Sequence, residues 1–376
     1  MSDEARLIVA ASEKDANLYY ACRFLAPDPF IFLKIDGRSL LVLSDLEIDR
    51  GRSQARADEI LSLTQCVEDS KKRGVAKPTW VDMIDEVLQE RSVRRLCVPP
   101  DFPIEVADGL RAKGYTLGFK PDPFFEERLI KSEEEIGFIR ETMRSTESAI
   151  EKAVGVLRAS TIGPDTSLLY QGRPLTSEVL KQVINVALME SGCVAEHTIV
   201  AGGLQGVDPH HQGTGPLRAN QSIVMDVFPR HSQTRYYADI TRTFVKGKAA
   251  AKLKRMYELV LEGQILGLSM VRDGVRADTI HTAIQALFDK HHFSTGQVDG
   301  RMQGFFHGTG HGVGLDIHEP PRISKTQDIL KAGQCVTVEP GLYYADAGGV
   351  RIEDTVVVRP KGCENLTSFP KFLEIP

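Results

Sequence analysis

Apolar positions along the chain follow two different periods, and the change between them divides the sequence. In the first third, residues 30–35 and 39–43 are apolar, β-prone runs joined through Asp36-Gly37, a pair that hairpins favour because it tolerates positive φ. Residues 93–98 repeat the strand signal. Residues 103–113 then place Ile104, Ala107 and Leu110 at helical spacing and stop at Gly114, a C-capping residue. Strand, helix and strand alternate, which predicts a small α/β unit.

Pro121 and Pro123 punctuate the loop that follows, and Ser132 stands three residues before Glu135. That is the spacing of a capping box, in which each side chain satisfies the other's orphan amide. A helix should start there and run to about Leu157. Residues 177–190, 252–271 and 277–290 read as three more amphipathic helices, and the remaining signal is β. The expected division is 1–130 and 131–376. No fixed-period repeat is present, although two helices followed by strands occur twice, as a diverged duplication would have them.

With 376 residues, 42% hydrophobic and 26% charged, the chain can bury full cores and is not a disordered polymer. Lys plus Arg is 46 against 51 for Asp plus Glu, a formal charge of −5. No basic block tracks a phosphate backbone or an anionic leaflet, so neither nucleic acid nor a membrane surface is expected as a partner. The early apolar run, residues 7–11, follows Asp3 and Glu4 and is shorter than a signal peptide needs. No apolar stretch approaches the ~20 residues that span a bilayer. The expected location is the cytoplasm. Six cysteines lie far apart without a Cys-x-x-Cys pair, which fits reduced thiols.

The informative residues are carboxylates where a strand should not tolerate them. Asp226 interrupts the apolar run 223–228, and Asp239 shares one face of 237–244 with Thr241 and Thr243 by period 2. Glu339 ends 335–339, and Glu353 sits within 350–358. One such acid is ordinarily a salt-bridged or edge residue. Four acids in four facing strands would repel until most were protonated, unless cations were present, and two divalent ions would balance their charge. His307, His311 and His318 follow at intervals of four and seven in a glycine-rich stretch. His281, His291 and His292, on or just after a helix, read as ordinary structural residues.

The sequence carries His-Gly-Thr-Gly-His-Gly-Val-Gly-Leu-x-x-His-Glu, Val-Glu-Pro-Gly-Leu-Tyr and Gly-Val-Arg-Ile-Glu-Asp, in that order. In these motifs the chain resembles the "pita-bread" metallopeptidases of the creatinase and methionine-aminopeptidase superfamily, and in particular the prolidase and aminopeptidase P branch. The resemblance implies an α+β architecture: a small N-terminal creatinase-like α/β domain, then a catalytic pita-bread domain whose curved, mostly antiparallel sheet is covered by helices. It puts five metal ligands on Asp226, Asp239, His311, Glu339 and Glu353, with Asp239 and Glu353 bridging two ions. The two Asp ligands are thirteen residues apart, 226 to 239, so the turn over 230–235 should be longer than in most prolidases.

By the same resemblance, His318 donates to the scissile carbonyl oxygen, His210 lines the substrate cleft in preference to His211, and His307 is a substrate-wall residue. Arg351 lies on the face of Glu353 by period 2, so its guanidinium can pair with the carboxylate cluster, and it is counted with the substrate-binding groups. Thr241, on the face of Asp239, could orient a bridging ligand.

The implied activity is hydrolysis of an Xaa-Pro peptide bond by hydroxide generated between two divalent ions, with Glu339 moving the proton. The donor set suits Mn²⁺, Co²⁺, Fe²⁺ or Zn²⁺, and the resemblance favours Mn²⁺. It also implies a homodimer. The absence of a bulky residue after His311 favours dipeptides over the longer substrates of aminopeptidase P. Two other classes stand as alternatives: a metal-free, creatinase-like amidinohydrolase and a non-catalytic binding module.

Overall fold

A computed structural model describes residues 4–376, which divide into two compact units, 4–128 and 129–376. The first unit is built on a six-stranded sheet in the order Glu59–Ser62, Arg38–Leu43, Phe30–Ile35, Glu4–Ala10, Arg95–Val98, Thr116–Phe119. Its middle pairings are antiparallel and its outer ones parallel. The hairpin expected at Asp36-Gly37 is present, with φ of 49° and 84° at the two turn residues. Alternation along Glu4–Ala10 sends Leu7 and Val9 into one core and Ile8 into the other, so both faces of the sheet are covered. This central strand carries the early apolar run that is too short for a signal peptide, and the helix Trp80–Glu90 is an element beyond those the apolar pattern predicts.

The second unit begins with the helix Glu133–Ala159. Ser132 accepts from the Glu135 amide and Glu135 answers to the Ser132 amide, as the capping-box spacing predicts. Ser177–Glu190, Ala251–Met270 and Ala277–Lys290 supply the other long helices. Two sheets lie with them. One runs Ile199–Gly202, Ile223–Val227, Ile240–Lys246, Glu374–Ile375, and the other Glu319–Ile323, Gly310–Gly312, Cys335–Val338, Asp354–Arg359, Gly362–Asn365. Pairing is antiparallel except where Glu374–Ile375 is added in parallel. One hydrophobic core packs the first helix pair on the first sheet, and another packs the second pair on the second sheet. The architecture is α+β, as the motifs implied. Among the described residues no helix is long and apolar enough to cross a membrane.

Candidate metal centre

Three of the four acids reach the site from a place where a strand begins, ends or changes sheet. Asp226 lies inside Ile223–Val227, all five residues of which are buried, and it stands opposite Thr241 in the ladder. Asp239 immediately precedes Ile240–Lys246, and Glu339 immediately follows Cys335–Val338. Glu353 corrects the expectation of a single strand over 350–358. Gly348–Arg351 pairs with Gly341–Tyr344, Asp354–Arg359 pairs with Cys335–Val338, and Glu353 sits in the break between them. Its amide donates to Thr241 O at 3.1 Å, while Thr355 Oγ1 donates to Asp239 O at 2.8 Å. The two sheets therefore meet where Asp239 and Glu353 face each other. Of the four acids expected in strands, only Asp226 is inside one.

His311 is the middle residue of the short strand Gly310–Gly312. A Cβ on Gly310 would lie 1.9 Å from Thr337 O, and one on Gly312 2.4 Å from Pro320 O. The glycines let two neighbouring backbones close on the strand, and only then can the imidazole reach the acids. The connection from Asp226 to Asp239 holds a short strand, Arg230–His231, which pairs with Cys193–Val194.

Donor atoms of Asp239, His311 and Glu353 all lie within 4.8 Å of one another. His311 Nε2 is 3.5 Å from Asp239 Oδ2 and 3.4 Å from Glu339 Oε1. These are not ion pairs, because burial holds the His311 imidazolium down at about 3 and the ring is neutral near pH 7. His311 Nδ1 is 3.1 Å from Gly312 O and so carries the proton, which leaves the Nε2 lone pair facing two carboxylates.

Burial, reinforced by the neighbouring acids, pushes Asp239 and Glu353 well above the usual carboxylate range, and burial brings Glu339 to about 7. Asp226 Oδ1, Asp239 Oδ1 and Glu353 Oε1 are buried and accept no hydrogen bond. Orphaned carboxylate oxygens gathered about a bare imidazole lone pair are the donor set that divalent cations require, so these residues fit such ions.

Behind the donors, Thr241 Oγ1 donates to Glu353 Oε2 at 2.7 Å and accepts from Arg351 Nε at 3.2 Å. Arg351 Nη2 donates to Asp226 Oδ2 at 2.7 Å, and its Nη1 donates to the Tyr343 hydroxyl at 2.8 Å. His307 Nδ1 faces Gly308 O at 2.7 Å and must donate there, so Nε2 accepts from Tyr343 at 2.9 Å. Arg351 thus donates both to Asp226 and into a directional chain that runs through Tyr343 and His307 and ends on Gly308 O. Arg351 and His307 do line the cleft, but their polar atoms are engaged in this chain.

The cleft over these residues has a volume of about 610 Å³ and is also walled by His210, Phe306, His318 and Arg322. His318 meets His311 ring to ring, centroids 4.3 Å apart and planes at 88°, and burial lowers its pKa. His211 instead lines an adjoining recess, its Nδ1 accepting from Gly213 N at 2.9 Å. His281 is bonded to Thr309 Oγ1 at 3.0 Å in the protein interior, the structural role expected of it.

Three further residues about the site are not among those the sequence marks. Tyr343 ends the Val-Glu-Pro-Gly-Leu-Tyr motif, with Phe306 beside it. Arg322, four residues after His318, is an exposed cation of the cleft wall. Arg242, almost fully buried, donates to Glu353 O and to Asp354 Oδ1, the latter at 2.9 Å, and so braces the break that presents Glu353.

Residues 137–360 match metallopeptidase family M24, and the chain belongs to that family. It is 28% identical over 313 residues to the Xaa-Pro dipeptidase of Pyrococcus furiosus, covering 82% of this chain and 83% of that one. Two solved structures share the fold, each with a TM-score of 0.82 over 99% of this chain. One is an X-Pro aminopeptidase from Thermotoga maritima, at 22% identity over 97% of its length, and the other an Xaa-Pro dipeptidase from Bacillus anthracis, at 23% identity over 95%.

Proposed function

We propose that the protein is a metal-dependent Xaa-Pro dipeptidase. The observation that carries this reading is the cluster of Asp239, Glu353 and the neutral His311, with Glu339 against His311 and Asp226 in the same cleft, and with three carboxylate oxygens left without a hydrogen bond. In this reading Asp226, Asp239, His311, Glu339 and Glu353 hold two divalent ions. The oxygen-rich set favours hard ions, Mn²⁺ first, with Co²⁺, Fe²⁺ and Zn²⁺ behind it. Such ions supply Lewis acidity: they lower the pKa of water and polarise a carbonyl oxygen.

The chain's own groups do the rest. Glu339 takes the proton of the attacking water on its carboxylate and passes it to the leaving proline nitrogen. His318 donates an imidazole N–H to the carbonyl oxygen as negative charge builds there, and its lowered pKa leaves it neutral but still able to donate. Arg351 and Thr241 act from behind, holding Asp226 and Glu353 in place. The six thiols are unpaired, which supports a cytoplasmic location.

Arg322 makes no ion pair among the described residues and is read here as the cation that meets the carboxylate of the product proline. Arg322→Met should therefore raise KM for Xaa-Pro dipeptides by about tenfold, the worth of one charge-assisted hydrogen bond, with kcat little changed. An unchanged KM would remove that role.

Aminopeptidase P activity is a second reading with its own support. Past Asp208, Pro209 and Phe306 the cleft adjoins a recess of about 600 Å³, lined by Leu204, Val207 and Met302, where a longer peptide could extend. Hydrolysis of matched substrates by metal-reconstituted protein decides between them. Leu-Pro or Met-Pro should be cleaved faster than the same pair extended by several residues. Replacing Pro with Ala should cost at least about tenfold in kcat/KM, because the proline nitrogen has no N–H and needs a site built for the ring. Equal rates on Pro and Ala peptides would remove the proline specificity, and faster cleavage of the longer peptides would move the assignment to aminopeptidase P.

A further inference from the structure

Glu319 follows His318 directly, yet its side chain turns inward and is buried. Both carboxylate oxygens lie over Gly314, so closely that a Cβ there would stand 2.6 and 2.7 Å from them. Gly312 pairs with Glu319 across the ladder, and Gly314 N donates to Asp316 O at 3.1 Å. Residues 313–318 are thus a short loop, closed at its base by Gly312 and Glu319 and clasped from within by the Glu319 side chain. His318 is its last residue.

The charge of Glu319 is met by Lys131. The ammonium Nζ donates to Glu319 Oε1, and only 2% and 4% of the two side chains are exposed. Lys131 is itself held, since its amide donates to Gly333 O at 2.8 Å and Ser132, the next residue, caps the long helix. It does not line the cleft.

We propose that Lys131 is a positioning residue for His318: its ammonium keeps Glu319 over Gly314, and that clasp fixes the loop from which the imidazole reaches the substrate carbonyl. The inference rests on the reading of His318 as the carbonyl donor. A carboxylate is costly to bury without its counter-charge, so loss of the ammonium loosens the seat of Glu319 over Gly314. That opens the clasp, and a donor displaced by about 1 Å can lose as much as 10²-fold in rate.

The test is a kinetic cycle on metal-reconstituted protein, with bound metal measured by elemental analysis. Lys131→Met should lower kcat about tenfold while KM and metal content stay near the parent values. Lys131→Arg should recover most of that loss. Added to His318→Ala, Lys131→Met should cost nothing more, since the group it positions is gone. Multiplying losses in the double variant, or parental kcat in Lys131→Met, would overturn the inference. A near-parental His318→Ala would instead sink the donor reading, and the inference with it. Should Lys131→Met not fold, Lys131→Gln, which also removes the ammonium charge, takes its place in the cycle under the same criteria.

Discussion

Prolonged chelation should abolish hydrolysis, and added Mn²⁺ or Co²⁺ should restore it. The same treatment should lower thermal stability. Ions that bind only the folded state at about 100 times their Kd add about 2.7 kcal/mol, which for a unit of roughly 250 residues is a rise of about 5–10 °C in Tm. The pH dependence has a definite sign. Glu339 in the metal-free fold titrates at about 7, above its usual 4.5, chiefly through burial, and Asp239 and Glu353 are raised for the same first reason. Below the unfolded value both states are protonated and nothing is lost. As pH rises from about 4.5 to about 7 the unfolded chain releases protons that the metal-free fold retains, so the metal-free fold loses stability across that window. Bound cations displace those protons and remove the penalty. The Tm gap between metal-loaded and metal-free protein should therefore widen from pH 5 to pH 7. Calorimetry showing a gap independent of pH, or full activity in thoroughly demetallated protein, would rule out the two-metal site.

The donor set was legible because charge inside an apolar run breaks a rule that strands otherwise obey. Asp226 is the clearest case, standing in a strand buried along its whole length. The rule was applied only to acids, however. Arg242 interrupts an equally buried strand, Ile240–Lys246, and the same criterion would have marked it. The helices of the second unit were read to within a residue or two because each carries a continuous apolar stripe. In the first unit Leu63–Lys72 buries only Cys66 and Ser70, so it offered almost no stripe to read. Trp80–Glu90 did offer one, in Met83, Ile84, Val87 and Leu88, and was passed over.

The break at Glu353 was beyond periodicity of any kind. Residues 350–358 read as one β-prone run, and only the pairing of its two halves, one with the adjacent Gly341–Tyr344 and the other with Cys335–Val338, reveals that the chain changes sheets at Ile352 and Glu353. The roles of Arg351 and His307 were limited by the same blindness to direction. Period 2 put Arg351 on the correct face; the expected pairing with the carboxylates is made with Asp226, and what the sequence did not show is that the rest of the guanidinium is engaged by Tyr343 and Thr241.

His318→Ala should reduce kcat by on the order of 10² or more while metal content stays near normal. The geometry separates the two quantities. His318 stands against His311 at 4.3 Å between ring centroids, but its nitrogens belong to the cleft, and the tight donor cluster of Asp239, His311 and Glu353 does not include it. Removing it costs a donor that matters once charge develops on the carbonyl oxygen, so the loss should fall on kcat more than on KM. Asp239→Asn is the contrasting variant. It removes an anionic oxygen from the centre of the cluster, where Asp239 Oδ1 accepts no hydrogen bond and Oδ2 faces His311, and it should lose bound metal along with activity. Elemental analysis and single-turnover kinetics on both variants distinguish the cases. If His318→Ala lost its metal, the histidine would be supporting ligation and not the carbonyl; if Asp239→Asn kept both ions, its bridging role would be wrong.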